Sequence, residues 1–159
     1  METPLRRASD HVVAKPQVGV AEELQSAHGV EWSWLSRVRT NVLLLGDRTK
    51  VDAAIRDVES ICHPPIYVWR CGTLPLTLPP LEAANTIVLH NAAALSYGCQ
   101  RMLNDWICAD NDRTQVITTN AAPLFPLVER RAFLETLYYR LNVLLVDVSA
   151  CSAEIDPAA

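Results

Sequence analysis

Five short, continuous apolar runs constrain the fold of this chain more than any other feature. They are four to six residues long, and most do not alternate between apolar and polar positions. Strands buried on both faces have this pattern, and such strands occur in parallel sheets that helices cover on both sides. The runs are Val42–Leu45, Ile66–Trp69, Thr86–Leu89, Gln115–Thr118 and Val143–Val148.

Helical periodicity fills most of the gaps between these runs. Apolar residues recur at helical spacing in segments 51–61, 93–109 and 124–140, and a short helix is expected from about Val30. Strands that alternate with helices form right-handed βαβ units. The pattern therefore predicts an α/β fold with three layers and a doubly wound, five-stranded parallel sheet.

The second connection and the two ends of the chain depart from this rhythm. Residues 72–85 contain three prolines, so we expect a loop there with at most one turn of helix. The core is expected over residues 31–150, between a mobile arm at 1–30 and a short tail at 151–159. Trp32 and Trp34 are expected to pack on this core, with a docking patch as the alternative.

The composition is that of an ordinary globular protein. Half of the residues are apolar, 20% are charged and the formal net charge is -4, which gives no reason to expect direct DNA binding or attraction to anionic lipid. No apolar run approaches the roughly 18 residues of a membrane helix, and no apolar segment of the signal-peptide type follows Arg6 and Arg7. We expect a cytoplasmic protein.

The five cysteines are expected to be buried or free thiols. Their odd number and the lack of a close CxxC pair argue against a disulfide framework or a zinc ribbon. A metal site that combines Cys62 and His63 with Cys71 or His90 is the alternative, which we consider the weaker of the two.

Residues 133–148, which read FLETLYYRLNVLLVDV, form the most specific motif in the chain. They closely resemble a segment of sigma-54-dependent transcription activators that reads FREDLYYRLNV before an apolar strand, with consecutive identities at 137–142 that continue through Val143. The segment Gln115–Asn120 resembles the strand of that family that ends in Thr-Asn. Ile66–Cys71 resembles its strand that ends in Asn-Cys, and Val42–Gly46 the strand before its phosphate-binding loop.

In order along residues 41–148, the chain is thus similar to the AAA+ ATPase domain of that family. The resemblance implies a P-loop NTPase-like fold, here without the helical lid that follows the core in the family. It also implies an interaction with sigma-54, although the family's GAFTGA loop, which makes that contact, has no counterpart in residues 72–85.

The phosphate-binding loop departs from the family pattern. A working loop reads GxxxxGK[ST], because its glycines let backbone amides face the phosphates and its lysine meets the β and γ oxygens. This chain is two residues short, lacks the second glycine and has Val51 in place of the magnesium-binding hydroxyl. The alternative is a plain turn between strand and helix, capped by Asp47 or Thr49. Residual nucleotide binding would involve Gly46, Asp47, Arg48, Thr49 and Lys50.

The positions of the family's Walker B acids are also changed. In the family an Asp-Glu pair positions magnesium and polarises the attacking water, whereas the matching residues here are His90 and Asn91. Neither is an anionic carboxylate, so no ATP or magnesium cofactor and no catalytic residue are expected. His90 would otherwise be a half-buried histidine bonded to a neighbour, or a base in some other chemistry.

Two further positions carry roles that the resemblance implies. Arg140 matches an arginine that reaches across the subunit interface toward a bound γ-phosphate, and Asn120 matches a position that senses this phosphate. Packing of the helix with Tyr138 and Tyr139, and capping of a strand end by Asn120, are the alternatives. The family's other arginine is replaced by Leu134.

These observations predict a non-hydrolysing, sigma-54-interaction-type domain that binds a protein in bacterial transcription regulation or signalling. Its partner would be a full-length activator ATPase or another copy of the chain. The alternative is a weak ATP-binding protein or ATPase of the same family. A receiver-like signalling domain, which is also a small five-stranded parallel sheet, is a third and weaker possibility.

Overall fold

Five parallel strands form one sheet in the computed structural model, which describes residues 32–73 and 75–149. The arm at 1–30 and the tail at 151–159 lie outside the described residues. The strand order is β2-β3-β4-β1-β5, and the predicted α/β fold is confirmed. The strands are β1 (Val42–Leu45), β2 (Ile66–Arg70), β3 (Thr86–His90), β4 (Gln115–Asn120) and β5 (Leu144–Asp147).

Helices connect most of these strands. The described residues form α1 (Leu35–Val38), α2 (Arg48–Glu59), α3 (Tyr97–Asp110), α4 (Phe125–Glu129) and α5 (Glu135–Leu141), and a 3-10 turn at Ala92–Ala94. The described part of the second connection, 72–73 and 75–85, contains no helix, as its prolines predict. No helix in the described ranges is long and apolar enough to cross a membrane.

The helical segment predicted at 124–140 is divided into two helices, α4 and α5. Arg131 has a positive φ of 63°, which interrupts helical geometry. The backbone amides of Ala132 and Phe133 both donate to the carbonyl of Leu127. This turn ends α4 and redirects the chain into α5.

The sheet separates two apolar layers. On one face, Val42 and Leu44 of β1 pack with α1 and α2, and Trp32 belongs to this buried cluster. On the other face, Leu43 and Leu45 pack with α3 and α5. Alternate residues of a strand point to opposite faces, so one continuous apolar run supplies both layers. The expected packing of Trp32 on the core is observed.

The two edge strands do not match the prediction of strands buried on both faces. Every residue of β1, β3 and β4 is buried, but Val68 of β2 is 47% exposed and β5 is only partly buried. An edge strand has a neighbour on one side only, and helices cover it less completely.

The position of β1 excludes the receiver-like alternative. Receiver domains have the order 2-1-3-4-5, with β1 between β2 and β3. Here β1 lies between β4 and β5, with Val42 opposite Ile117 on one side and Leu144 on the other. The connection from β1 to β2 therefore crosses the sheet in one direction, and the connection from β4 to β5 crosses it in the other. Because such crossovers are right-handed, the helices of the two connections lie on opposite faces of the sheet.

Candidate functional site

A cleft of about 320 Å³ opens at the carboxyl edge of the sheet. It lies where the connections after β1 and β4 diverge, which is the usual place for ligands in open α/β sheets. Five of the residues to which the resemblance gives a role in the family's ATP site line it. They are Gly46, Arg48, His90, Asn91 and Asn120, accompanied by Val51, Asp52, Arg70, Cys71, Thr73, Thr119 and Ala121.

The turn between β1 and α2 is closed on its own residues. The side chain of Asp47 accepts a hydrogen bond from the backbone amide of Lys50 at 3.0 Å. This N-terminal cap explains why α2 begins at Arg48, three residues before the predicted start. Gly46 has a φ of +156°, and a Cβ there would lie 2.8 Å from Cγ2 of Val148. The turn is therefore packed tightly against the chain that follows β5.

The amino group of Lys50 does not line the cleft. Its Nζ donates to the backbone oxygen of Ser149 at 3.0 Å and lies 3.8 Å from a carboxylate oxygen of Asp47. Neither Lys50 nor Asp47 lines the cleft, and the same holds for the exposed Thr49. Of the five positions expected around a nucleotide, only Gly46 and Arg48 reach this space.

Asp52 is the centre of a charged cluster inside the cleft. One of its oxygens lies 3.6 Å from Nε of Arg48, and the other lies 3.6 Å from Nη2 of Arg70 and 3.9 Å from Nδ1 of His90. Sequence reasoning missed both Asp52 and Arg70. The spacing of Arg48 and Asp52, four residues apart on a helix, was a usable signal, whereas nothing local connects either residue to Arg70.

His90 is buried, with only 5% of its surface exposed. Its Nδ1 lies 3.4 Å from the hydroxyl oxygen of Thr119, as expected for a histidine bonded to a neighbour. Burial lowers the pKa of His90 below its ordinary value, because it disfavours the charged form; the nearby Arg70 acts in the same direction and Asp52 opposes it. The side chain is therefore a neutral imidazole at neutral pH.

The two asparagines beside His90 have structural bonds. Asn91 adopts a left-handed conformation with φ 63°, and its backbone amide donates to the Thr119 hydroxyl at 3.2 Å. The side-chain oxygen of Asn120 accepts from the amide of Ala93 at 2.9 Å, and its nitrogen donates to the carbonyl of Ala122 at 2.7 Å. Asn120 thus caps the end of β4 and ties it to the turn after β3.

Arg140 lies at the opposite edge of the sheet. It is in the last turn of α5, just before β5 begins, and its backbone oxygen accepts from the side chain of Asn41 at 2.8 Å. Asn41 immediately precedes β1, so this contact is at the amino edge. The described residues provide no ion pair for its guanidinium. Within one chain, Arg140 is not part of the cleft.

The aromatic residues near Arg140 form a partly exposed group. Tyr138 lies between Phe125 and Tyr139, with ring centroids 5.6 and 5.1 Å apart, and its hydroxyl accepts from Asn142 at 2.8 Å. Tyr138 packs against the core, as the alternative of helix packing implies, whereas Tyr139 is 50% exposed and does not. The buried contacts of α5 come from Leu137 and Leu141 instead.

The cysteines of the described chain are free. Cys62 and Cys71 are buried, and burial is the main reason that the pKa of each thiol is raised to about 11. In the described ranges, no group of three or more His, Cys, Asp and Glu side chains could hold a metal ion.

Solved structures of NtrX from Brucella abortus have a similar fold. One is 16% identical, with a TM-score of 0.55 over 72% of this chain and 34% of that one. A complex with ADP is 16% identical, with a TM-score of 0.62 over 90% of this chain and 38% of that one. A complex with ATP is 14% identical, with a TM-score of 0.58 over 72% of this chain and 32% of that one.

By sequence, no protein-family model matches this chain, and neither does any curated protein. At these identities the structural likeness establishes the fold. The chain spans about a third of the length of the NtrX chains that it matches.

Proposed function

We propose that this chain is a sigma-54-activator-like AAA+ domain that does not hydrolyse ATP and acts by binding a protein partner. Its setting would be bacterial transcription regulation or signalling. The observation that supports this most directly is the closed turn after β1, where Asp47 caps α2 and Lys50 is bonded to Ser149.

The closed turn is unfavourable to a triphosphate. A phosphate cradle needs backbone amides that are free to face the anion and a lysine that reaches it. Here the backbone amide of Lys50 donates to the Asp47 carboxylate. The Lys50 ammonium donates to the Ser149 carbonyl and is ion-paired with Asp47. A phosphate would have to displace these bonds and would be repelled by Asp47.

The donor set at the end of β3 is a poor match for magnesium. Magnesium prefers oxygen ligands, above all carboxylates, phosphates and water. The end of β3 offers the neutral imidazole of His90 and the amide of Asn91. Of the described residues that line the cleft, only Asp52 has a carboxylate. Asp52 is already paired with two arginines, whose positive charges would repel a cation.

The surface of α4 and α5 is the better candidate for a functional contact. Phe125 and Tyr139 are exposed there, as is Val143 just after α5. Arg140 also lies on α5, and its guanidinium has no ion pair within the described ranges. Exposed aromatic side chains and arginines are enriched at protein interfaces. The partner we propose is a full-length activator ATPase or another copy of this chain.

The partner contact can be tested by mixing the protein with an activator ATPase and measuring the mass of the complex by light scattering. Tyr139→Ala should weaken the complex, whereas Tyr97→Ala, which removes an equally exposed tyrosine from α3, should not. A protein that stays monomeric at high concentration and alone in the mixture would contradict the proposal.

Weak ATP binding is the alternative, and the NtrX complexes with ADP and ATP favour it. Calorimetry with ATP and magnesium distinguishes the two. We expect no magnesium-dependent binding. Binding that requires magnesium and disappears in Lys50→Ala would replace our proposal with the alternative.

A further inference from the structure

The guanidinium groups of Arg48 and Arg70 have unused hydrogen-bonding capacity. Each guanidinium carries five N–H donors. Both groups are ion-paired with Asp52 at 3.6 Å, which is longer than the roughly 2.8 Å of a charge-assisted hydrogen bond. Within the described ranges, neither group donates a hydrogen bond. Their donors therefore remain available to a ligand in the cleft.

The two arginines come from different elements and meet at one point. Arg48 is in the first turn of α2, and Arg70 is the last residue of β2. Each contacts a different oxygen of the same Asp52 carboxylate. The two guanidinium groups therefore lie on the two oxygens of one carboxylate, each within 3.6 Å of it.

The charges in this part of the cleft do not balance. Two arginines face one carboxylate, while His90 is neutral at neutral pH because burial lowers its pKa. The other described residues that line the cleft carry no charge. One excess positive charge thus remains in a concave site that opens to solvent, and concave walls concentrate its attraction for anions.

Arg70 also distinguishes this chain from the family that it resembles. It stands where the strand that Ile66–Cys71 resembles has an uncharged asparagine before the cysteine. Its backbone oxygen accepts from the hydroxyl of Thr73 at 2.9 Å, which holds the turn after β2 beside the cleft.

We propose that the cleft binds a small oxyanion, a phosphate or a carboxylate, between Arg48 and Arg70. Guanidinium groups recognise both through paired N–H donors. Without a bound anion, the Asp52 carboxylate is ion-paired with the same two guanidinium groups. The site uses neither Lys50 nor magnesium, so it is independent of the function proposed above.

Calorimetry with inorganic phosphate at constant ionic strength tests this site. The wild-type protein should bind phosphate saturably. Arg70→Gln should weaken binding by about 10-fold or more, the usual effect of losing a charge-assisted contact, and Arg48→Gln should act in the same direction. Arg56→Gln is the matched control, because it removes the same charge from an exposed position of α2 outside the cleft.

A parallel titration with succinate, a dicarboxylate, identifies the class of oxyanion. Tighter binding of phosphate would assign the site to phosphates, and tighter binding of succinate would assign it to carboxylates. Lys50→Ala should leave phosphate binding unchanged, which separates this site from a nucleotide site of the family type. The proposal would be overturned if neither anion bound saturably, or if Arg56→Gln weakened binding as much as Arg70→Gln did. Circular dichroism of each variant shows whether it is folded.

Discussion

Gln100 offers a sharp test of how α3 and the segment before α5 are held together. It lies on α3 with only 1% of its surface exposed. Its side-chain nitrogen donates to the carbonyls of Leu95 and Ala132 at 3.1 and 3.2 Å, and its oxygen accepts from the amide of Leu134 at 2.7 Å. One buried side chain thus satisfies three backbone groups from two separate loops.

Gln100→Leu keeps a similar volume but removes all three bonds. A buried polar group left without a partner costs about 1–3 kcal/mol of stability. The Leu134 amide, which makes the shortest of the three bonds, is expected to contribute most to this cost. The apolar leucine recovers part of this loss in so buried a position. We therefore expect the free energy of unfolding to fall by about 2–4 kcal/mol.

Equilibrium unfolding in urea, followed by tryptophan fluorescence, measures this change. The midpoint should shift while the slope stays constant, since the folded state remains as compact. Arg101→Gln, on the adjacent exposed position of α3, is the control and should change stability by less than about 0.5 kcal/mol. A loss below about 1 kcal/mol in Gln100→Leu, or one equal to the control's, would refute the reasoning.

Three further expectations concern the cleft and the thiols. Asp47→Ala removes the cap of α2 and should cost about 1 kcal/mol in urea unfolding; an unchanged midpoint would show that the cap contributes nothing. Because the pKa of His90 is lowered in the folded state, the unfolded chain takes up a proton first, so stability should fall as pH drops below about 6.5. His90→Gln should make that fall smaller, and an identical pH profile would argue against it. With thiol pKa values of about 11 and buried side chains, Cys62 and Cys71 should resist alkylation at neutral pH, whereas the exposed Cys108 should react quickly; mass spectrometry that finds Cys71 modified first would contradict this.

The sheet could be predicted from the sequence because its central strands are buried on both faces. A run such as Val42–Leu45 has few alternatives to a covered parallel strand. The ends of helices were less predictable, because they depend on single residues. Because Asp47 caps α2, this helix begins at Arg48 and not at the predicted residue 51. The positive φ of Arg131 divides the segment 124–140 into two helices.

The candidate site was only partly predictable for a different reason. The resemblance placed His90 and Asn91 at the end of a central strand, and they line the cleft as that position implies. The contact partners of Lys50 and Arg70 could not be predicted from the sequence. Ser149 and Asp52 are distant from them in the sequence, and only the folded sheet brings each pair into contact.

The place of β1 between β4 and β5 has a consequence for how the protein is made. Both strands that flank it, β4 and β5, are synthesised long after it. A ribosome-bound chain that has released Val42–Leu45 therefore has no strand to pair with them until Gln115–Asn120 emerges. Closing such long loops is slow, so the apolar segment Val42–Leu45 stays unpaired, and open to contacts with other chains, until its partner strands have been made.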